Sequence, residues 1–493
     1  MVVKNSYESK NLKNKQKQLF VICFITFLFC LAIATNISPL LRGPYDSLLK
    51  SQWPYYFVNT FSKIWVFIPI YLFYLFLVRF IYKKTSVDQK TEGLMLFILV
   101  TLTFLFQIGL VYFSRFGIGV LFRRLVDPGI NGYFTTAVNI HDINFFIDNF
   151  PLIINSRTLA QHASGHTPGA IIMLKTIIEI ISLLPSTLYN SIIQNVHVGD
   201  ANNLWITLSS SNKFAALIIP FILHLFASAT IVPFYFLANS FYQDRKHALL
   251  ITIIYSIIPS LSFFAMVFDP IYSLFPIVLS LLMYIGVKRN EPMYFFWSGV
   301  ITVLGLFFSA FLLTFIFGLI VFCALSIKRS EIKIRINNIL FFITGVFTTL
   351  IGFTLIGFDF PSSLIAVIHN QASREYLPWL LFNPYDFFVF MGIPVSITFI
   401  SLSIHELKNK TNISSLTKRL TYTFWITFII LILSGASRGE VGRIWLGFMF
   451  LPVILVGNYT MNDLKFTNRD LVILFTFLFI QVIIMEEFWV PIW

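Results

Sequence analysis

Long apolar runs separated by short polar segments repeat along almost the whole chain, near 18–36, 63–82, 94–113, 214–240, 248–264, 270–287, 292–308, 310–327, 337–357, 387–404, 420–436, 443–457 and 470–486. A helix needs roughly 20 apolar residues to cross a hydrocarbon layer of about 30 Å, so the pattern predicts thirteen spans and an all-α polytopic membrane protein. The repeat is interrupted twice, at 114–213 and 358–386. A loop as long as the first is uncommon in a compact protein and is usually functional. Inside it, "AIIMLKTIIEII" (170–181) follows Thr167, Pro168 and Gly169, which fit a cap and a first helical turn. If this helix crossed the bilayer, every later basic loop would change sides. The pattern therefore predicts a helix lying in the membrane interface, with Lys175 and Glu179 paired at i,i+4.

Composition strengthens the membrane reading: 57% of the 493 residues are hydrophobic, 18% aromatic and 12% charged. Cys23, Cys30 and Cys323 all lie in apolar runs, which speaks against a disulfide framework or a thiolate metal site. The first run lacks a small-residue cleavage site and reads as a retained helix. The formal charge of +13 raises the question of a nucleic-acid partner, and the positions of the charges answer it. With the N-terminus inside, the segments 1–17, 79–92, 241–247, 288–291, 328–336, 405–419 and 458–469 carry 23 of the 35 Lys and Arg residues. This is the positive-inside bias, so the basicity is a topology signal and no nucleic-acid partner is expected. The expectation is an integral protein of the cell or plasma membrane, N-terminus cytosolic and C-terminus outside, in contact with membrane lipids. Residues 1–92 form a basic N-terminus with two additional helices, and 93–493 form the core. No Walker loop appears, so a substrate would arrive already activated.

Twelve basic residues break the charge bias: Arg42, Lys50, Lys63, Arg115, Arg123, Arg124, Arg157, Lys175, Lys213, Arg374, Arg438 and Arg443. Several adjoin polar motifs on the expected outer face. "RTLAQHASGHTPG" (157–169) places His162 and His166 before a helix start, where unpaired N–H groups attract anions. Their spacing also fits a zinc pair, although no third ligand is near in sequence, and structural hydrogen bonding explains them as well. No cofactor is assigned; a divalent metal stays open. "IHNQASREYLPWLLFNPYDF" (368–387) combines His369, Arg374, Tyr376, Trp379 and Asp386, a cation among aromatic faces that suits a sugar or isoprenoid phosphate or else an interfacial belt. Asp269 reads equally as a site residue or as a cap before Pro270. In "SGASRGEVGRIW" (434–445), Ser437 and Glu440 fit a capping box, which leaves Arg438 and Arg443 as candidate phosphate contacts; alternatively Glu440 and Arg443 pair at i,i+3 and Arg438 is left for an anion.

"YFTTA" (133–137), a Phe-rich spacer, and a histidine turn opening an interfacial helix together resemble the first outer loop of GT-C-type membrane glycosyltransferases, such as the protein O-mannosyltransferase and aminoarabinose transferase families. Those families carry an acidic residue or pair before the Tyr and a His-Pro-Pro turn; here Tyr133 follows "ING" and the turn is His-Thr-Pro. The chain also resembles integral membrane proteins with a His-x-x-x-His-Pro-Pro-Gly turn and a late Glu-Val-x-Arg-Ile-Trp segment, matched by "HASGHTPG" (162–169) and "EVGRIW" (440–445, ending in Trp445). The resemblance covers roughly residues 100–490, with specific motifs at a few dozen positions.

It implies a GT-C-like transferase that moves a sugar from a polyprenyl-phosphate donor to a glycan, lipid or protein acceptor on the outer face. A carboxylate would take the acceptor's proton and cations would stabilise the departing phosphate. Asp127 in "DPGINGY" and Asp142 after His141 are the candidate bases, Asp127 also reading as an Asp-Pro-Gly turn. His162 and His166 would stand beside the phosphate. Arg123, Arg124, Arg374, Arg438 and Arg443 are the candidate phosphate contacts, with Tyr133, Asp269, His369, Glu440 and Trp445 as further outer-face candidates. A lipid-linked saccharide flippase and a non-catalytic subunit are the alternatives. A transporter is expected to show broken helices or charges at mid-membrane.

Overall fold

The computed structural model describes residues 2–44, 52–56, 61–194, 196, 202–326, 332–370, 374–408 and 415–489. Lys50 and parts of the expected segments 328–336, 358–386 and 405–419 lie outside the described residues. Every regular element among the described residues is helical, and eight helices are long and apolar enough to cross a membrane. They are Lys15–Ala34, Phe61–Lys83, Gln89–Phe113, Ser210–Tyr242, Asp269–Arg289, Ile336–Leu355, Leu416–Ser434 and Asn468–Phe488. Eight of the thirteen apolar runs are thus long helices. The chain is a polytopic membrane protein.

The other five runs are short or broken. Arg245–Ser256 has 12 residues and Leu446–Asn458 has 13, about 20 Å of helix at 1.5 Å per residue. Met293–Phe308 and Leu312–Ser326 are only slightly longer. Residues 248–273 are buried without exception, through the break at Ile257–Ile258 and the short helix Pro259–Phe263. Arg245–Ser256 packs against Ile231–Tyr242, Phe67–Lys83, Gln89–Phe113 and Leu446–Asn458, so protein covers it and lipid does not. An unbroken apolar stretch therefore marks the centre of the molecule as well as its spans. By contrast, Ile336–Leu355 is mostly exposed and abuts Met293–Phe308 through Gly299 and Gly345, where a Cβ would run into the carbonyls of Phe342 and Phe296.

The fifth run is bent. Tyr376–Met391 and Ile393–Lys408 meet at 111° across Gly392, whose φ of +96° favours glycine. Gln481, in the last long helix, spans the break: its Oε1 accepts from Ile393 N at 2.8 Å and its Nε2 donates to Val389 O at 3.0 Å. Backbone groups released by a bend need such partners where water is scarce. A second pair, Gly169–Ser182 and Ser186–Ile193, meets at 103°. It contains the helix expected to lie in the interface, and Lys175 pairs with Glu179 at 3.4 Å as the i,i+4 spacing predicts.

Candidate functional site

The turn after Leu416–Ser434 is held in an unusual backbone path. Gly435, Gly439 and Glu440 have φ of +61°, +91° and +58°, and a non-glycine residue at positive φ is held there by its surroundings. Here the surroundings are a clamp from the helix Tyr376–Met391. Asn383 Oδ1 accepts from Gly439 N at 3.0 Å, and Asn383 Nδ2 donates to Ser437 O at 2.7 Å. Arg374 donates to Arg438 O at 2.8 Å and Arg438 donates to Arg374 O at 2.6 Å, tying the two segments side by side. Their guanidinium groups lie over Trp379 and Tyr376, at 5.6 and 5.7 Å from the ring centroids. From below, Ser260 Oγ donates to Gly442 O at 2.6 Å.

This scaffold carries a continuous line of charge. Arg374 pairs with Glu440; Glu440 pairs with Arg443 at 2.6 Å; Arg443 pairs with Asp269 at 2.9 Å. Arg443 and Asp269 are 4% exposed, so each charge needs a partner there: Asp269 has Arg443, and Arg443 has both Asp269 and Glu440. Burial raises the Glu440 carboxyl pKa, but Arg443 and Arg374 outweigh it and hold the group at about 2. The opposite balance applies to Arg443: burial works against its charge, and Asp269 and Glu440 overcome it, raising its pKa. Asp386 is also buried, three residues beyond Asn383, where Arg374 and Glu440 act on it.

The histidine segment meets this line. Burial, with the nearby Arg443, lowers His162 to about 4 and His166 to about 3, so both are neutral at pH 7. The His166 ring sits 5.9 Å from Tyr133 and 5.3 Å from Tyr272, and its Nδ1 has no hydrogen-bond partner among the described residues. Burial raises the Tyr133 hydroxyl pKa. Phe268 stacks on Tyr272 and meets Tyr133 edge-on, completing an aromatic wall. Asn370 Nδ2 reaches Ser164 O at 3.4 Å, linking the end of the helix Phe360–His369 to the same turn.

Of the residues singled out from the sequence, the structure brings together Tyr133, His162, His166, Asp269, Arg374, Arg438, Glu440 and Arg443. Trp445 lies just behind them, 1% exposed among Phe387 and Phe428. Others stand apart. Asp127 accepts from Gly129 N at 2.9 Å, the turn that its Asp-Pro-Gly setting suggests, and lies 3.8 Å from a half-exposed Arg123. Asp142 caps the helix Ile143–Asp148, accepting from Asn144 N at 2.8 Å and Phe145 N at 3.1 Å. Arg124 is buried, with its charge toward Glu486. His369 is exposed.

Three local expectations are corrected. Ser437 and Glu440 form no capping box, because Glu440 takes the left-handed conformation and gives its carboxylate to two arginines. Thr167 does not cap its helix; its hydroxyl donates to Leu306 O at 2.8 Å, and Gly169 packs on the carbonyl of Phe307. The positive end of that helix meets the negative end of Met293–Phe308, where an anion was expected. Arg443 is no open anion receptor, since Asp269 and Glu440 occupy two of its nitrogens. As for metal, the described residues hold no group of three or more His, Cys, Asp or Glu side chains placed to bind an ion. Sequence reasoning missed Asn383 and Tyr272. Asn383 at helical spacing between Trp379 and Asp386, and Tyr272 one turn after Asp269, were the available signals.

Compared with family models, curated proteins and solved structures, the chain matches none.

Proposed function

We propose that the chain is a GT-C-like membrane glycosyltransferase, its thirteen apolar runs arranged as long and short helices around a site on the outer face. It would move a sugar from a polyprenyl-phosphate donor to a glycan, lipid or protein acceptor. The observation that supports this reading is the meeting of two segments about 270 residues apart, the histidine turn 162–169 and "EVGRIW" 440–445, at one polar cluster beside an aromatic wall. Aromatic faces suit sugar rings, and arginines suit phosphate.

In this reading the acceptor oxygen forms a bond to the anomeric carbon while the bond from that carbon to the phosphate oxygen breaks. Polyprenyl phosphate leaves with the electron pair. Arg374 and Arg438, which donate to each other's carbonyls and lie side by side, steady its developing charge, while Arg443 stays paired with Asp269 and Glu440. The acceptor's proton passes to His162, which is neutral and lies within the field of Glu440.

Sugar transfer by the purified protein from a panel of polyprenyl-phosphate donors tests the reading. Turnover by wild type, lost in His162→Gln and Arg374→Gln with folding intact and kept in Asp127→Asn, supports it. Donor binding by wild type without any transfer to any acceptor class sinks it. A second reading, a lipid-linked saccharide carrier, is favoured by the helix pairs broken at 103° and 111°. Movement of a labelled donor across proteoliposomes with no acceptor present would select it.

A further inference from the structure

The end of the molecule away from this cluster holds a cavity lined by both polar and apolar side chains. Leu446–Asn458 starts beside Trp445 and ends at Tyr459, about 20 Å of helix away from the arginines. There the chain makes a π-helical turn, Tyr459–Asp463, closed by Leu464 N donating to Tyr459 O at 2.9 Å. Such turns recur at functional sites because they push side chains out of helical register. This one borders a cavity of about 290 Å³ whose other walls come from the first helix and from the end of Ile393–Lys408.

Its lining carries one charge of each sign. Lys17 comes from the first helix and Asp463 from the π turn, and among the described residues neither forms an ion pair. Close by, Lys15 and Asp470 do pair, at 3.0 Å, so oppositely charged side chains in this region can close on each other where geometry allows. Ser401 and His405 add a hydroxyl and an imidazole, His405 lying 5.6 Å from the Tyr459 ring, while Val21 and Leu464 supply an apolar side. The depth is that of a membrane surface: the apolar spans Lys15–Ala34 and Asn468–Phe488 both begin here.

We infer that this cavity binds the headgroup of an aminophospholipid. Lys17, Ser401 and His405 take the phosphate, Asp463 takes the primary ammonium, and Val21 and Leu464 meet the start of the lipid's apolar part. A ligand bearing both charges satisfies both walls at once. An anionic lipid leaves Asp463 unmatched, and a quaternary amine has no N–H to give it.

Native mass spectrometry of the delipidated, detergent-purified chain with phosphatidylethanolamine, phosphatidylcholine and phosphatidylglycerol tests this, with thermal melting as the check on folding. The expected result is one phosphatidylethanolamine bound about tenfold more tightly than either of the others. Lys17→Gln should weaken phosphatidylethanolamine and phosphatidylglycerol together. Asp463→Asn should erase only the preference for phosphatidylethanolamine. Equal binding of all three lipids, or a preference that survives both substitutions in folded protein, overturns the inference. So does displacement of phosphatidylethanolamine by soluble phosphoethanolamine with matching affinity, which would make a free solute the ligand.

Discussion

Two pairs of carboxylates, all on the expected outer face, are held in opposite ways. Asp127 and Asp142 accept from backbone N–H groups two or three residues along their own segments. Asp269 and Glu440 are separated by about 170 residues of sequence, are shielded from water, and are joined through Arg443. A carboxylate satisfied by its own turn shapes a loop and can be lost at small cost. One that depends on a distant arginine fixes two parts of the chain relative to each other, and both parts suffer if the partner goes. Only the second pair shares its surroundings with the histidines.

Removing Arg443 should therefore give the largest effect. Arg443→Gln leaves Asp269 and Glu440 buried without their shared cation, a loss of about 3–5 kcal/mol. Denaturant or thermal unfolding in detergent measures it, and a loss as small as that of an exposed pair would mean that the two carboxylates do not depend on Arg443.

A second effect is on pH dependence. The Glu440 pKa is lowered from 4.5 to about 2, so its contribution is present above pH 4.5 and is lost as pH falls toward 2, a total of about 3 kcal/mol. His162 and His166 act in the same direction at higher pH. Their pKa values fall from 6.5 to about 4 and about 3, so the unfolded chain binds more protons below pH 6.5 and stability declines there. Melting should weaken from pH 6.5 downward in wild type. In a folded His162→Gln, His166→Gln double variant the decline should begin nearer pH 4.5, and an unchanged profile would remove the histidines from the buried cluster.

How far this was legible in the sequence depends on what each residue needs. The long spans could be read because apolar helices in lipid satisfy their own backbone, so run length alone marks them. The run at 248–264 misled because burial inside protein requires the same apolar residues as contact with lipid, and only the partners of Arg245–Ser256 distinguish the two. The cation candidates Arg374 and Arg443 were found because charges in apolar surroundings need a reason. Asp127 reads as a base from its place shortly before Tyr133, and Asp142 from following His141; what such an order does not show is the arginine on another segment that joins Asp269 to Glu440. Glu440 reads as a cap since Ser-x-x-Glu describes a capping box equally well; the i,i+3 pair with Arg443 is a local pattern, but Asn383 and Arg374, which hold the left-handed turn from another segment, are not.

The small effects sharpen the contrast from the other side. Asp142→Ala should cost about 1 kcal/mol, the usual loss when a helix forfeits its N-cap, because two N–H groups of Ile143–Asp148 lose their acceptor. The Lys175–Glu179 pair is smaller still. Glu179 is about half exposed, water replaces either partner readily, and an i,i+4 pair contributes only about 0.3–0.5 kcal/mol. Lys175→Ala should leave melting nearly unchanged and insensitive to salt, whereas wild type should lose its small advantage as salt rises. If Lys175→Ala instead destabilised the protein as much as Asp142→Ala does, Lys175 would be acting through its buried stem, since its side chain is only 14% exposed, and the comparison would have to be drawn between packed and unpacked residues and no longer between local and distant charge partners.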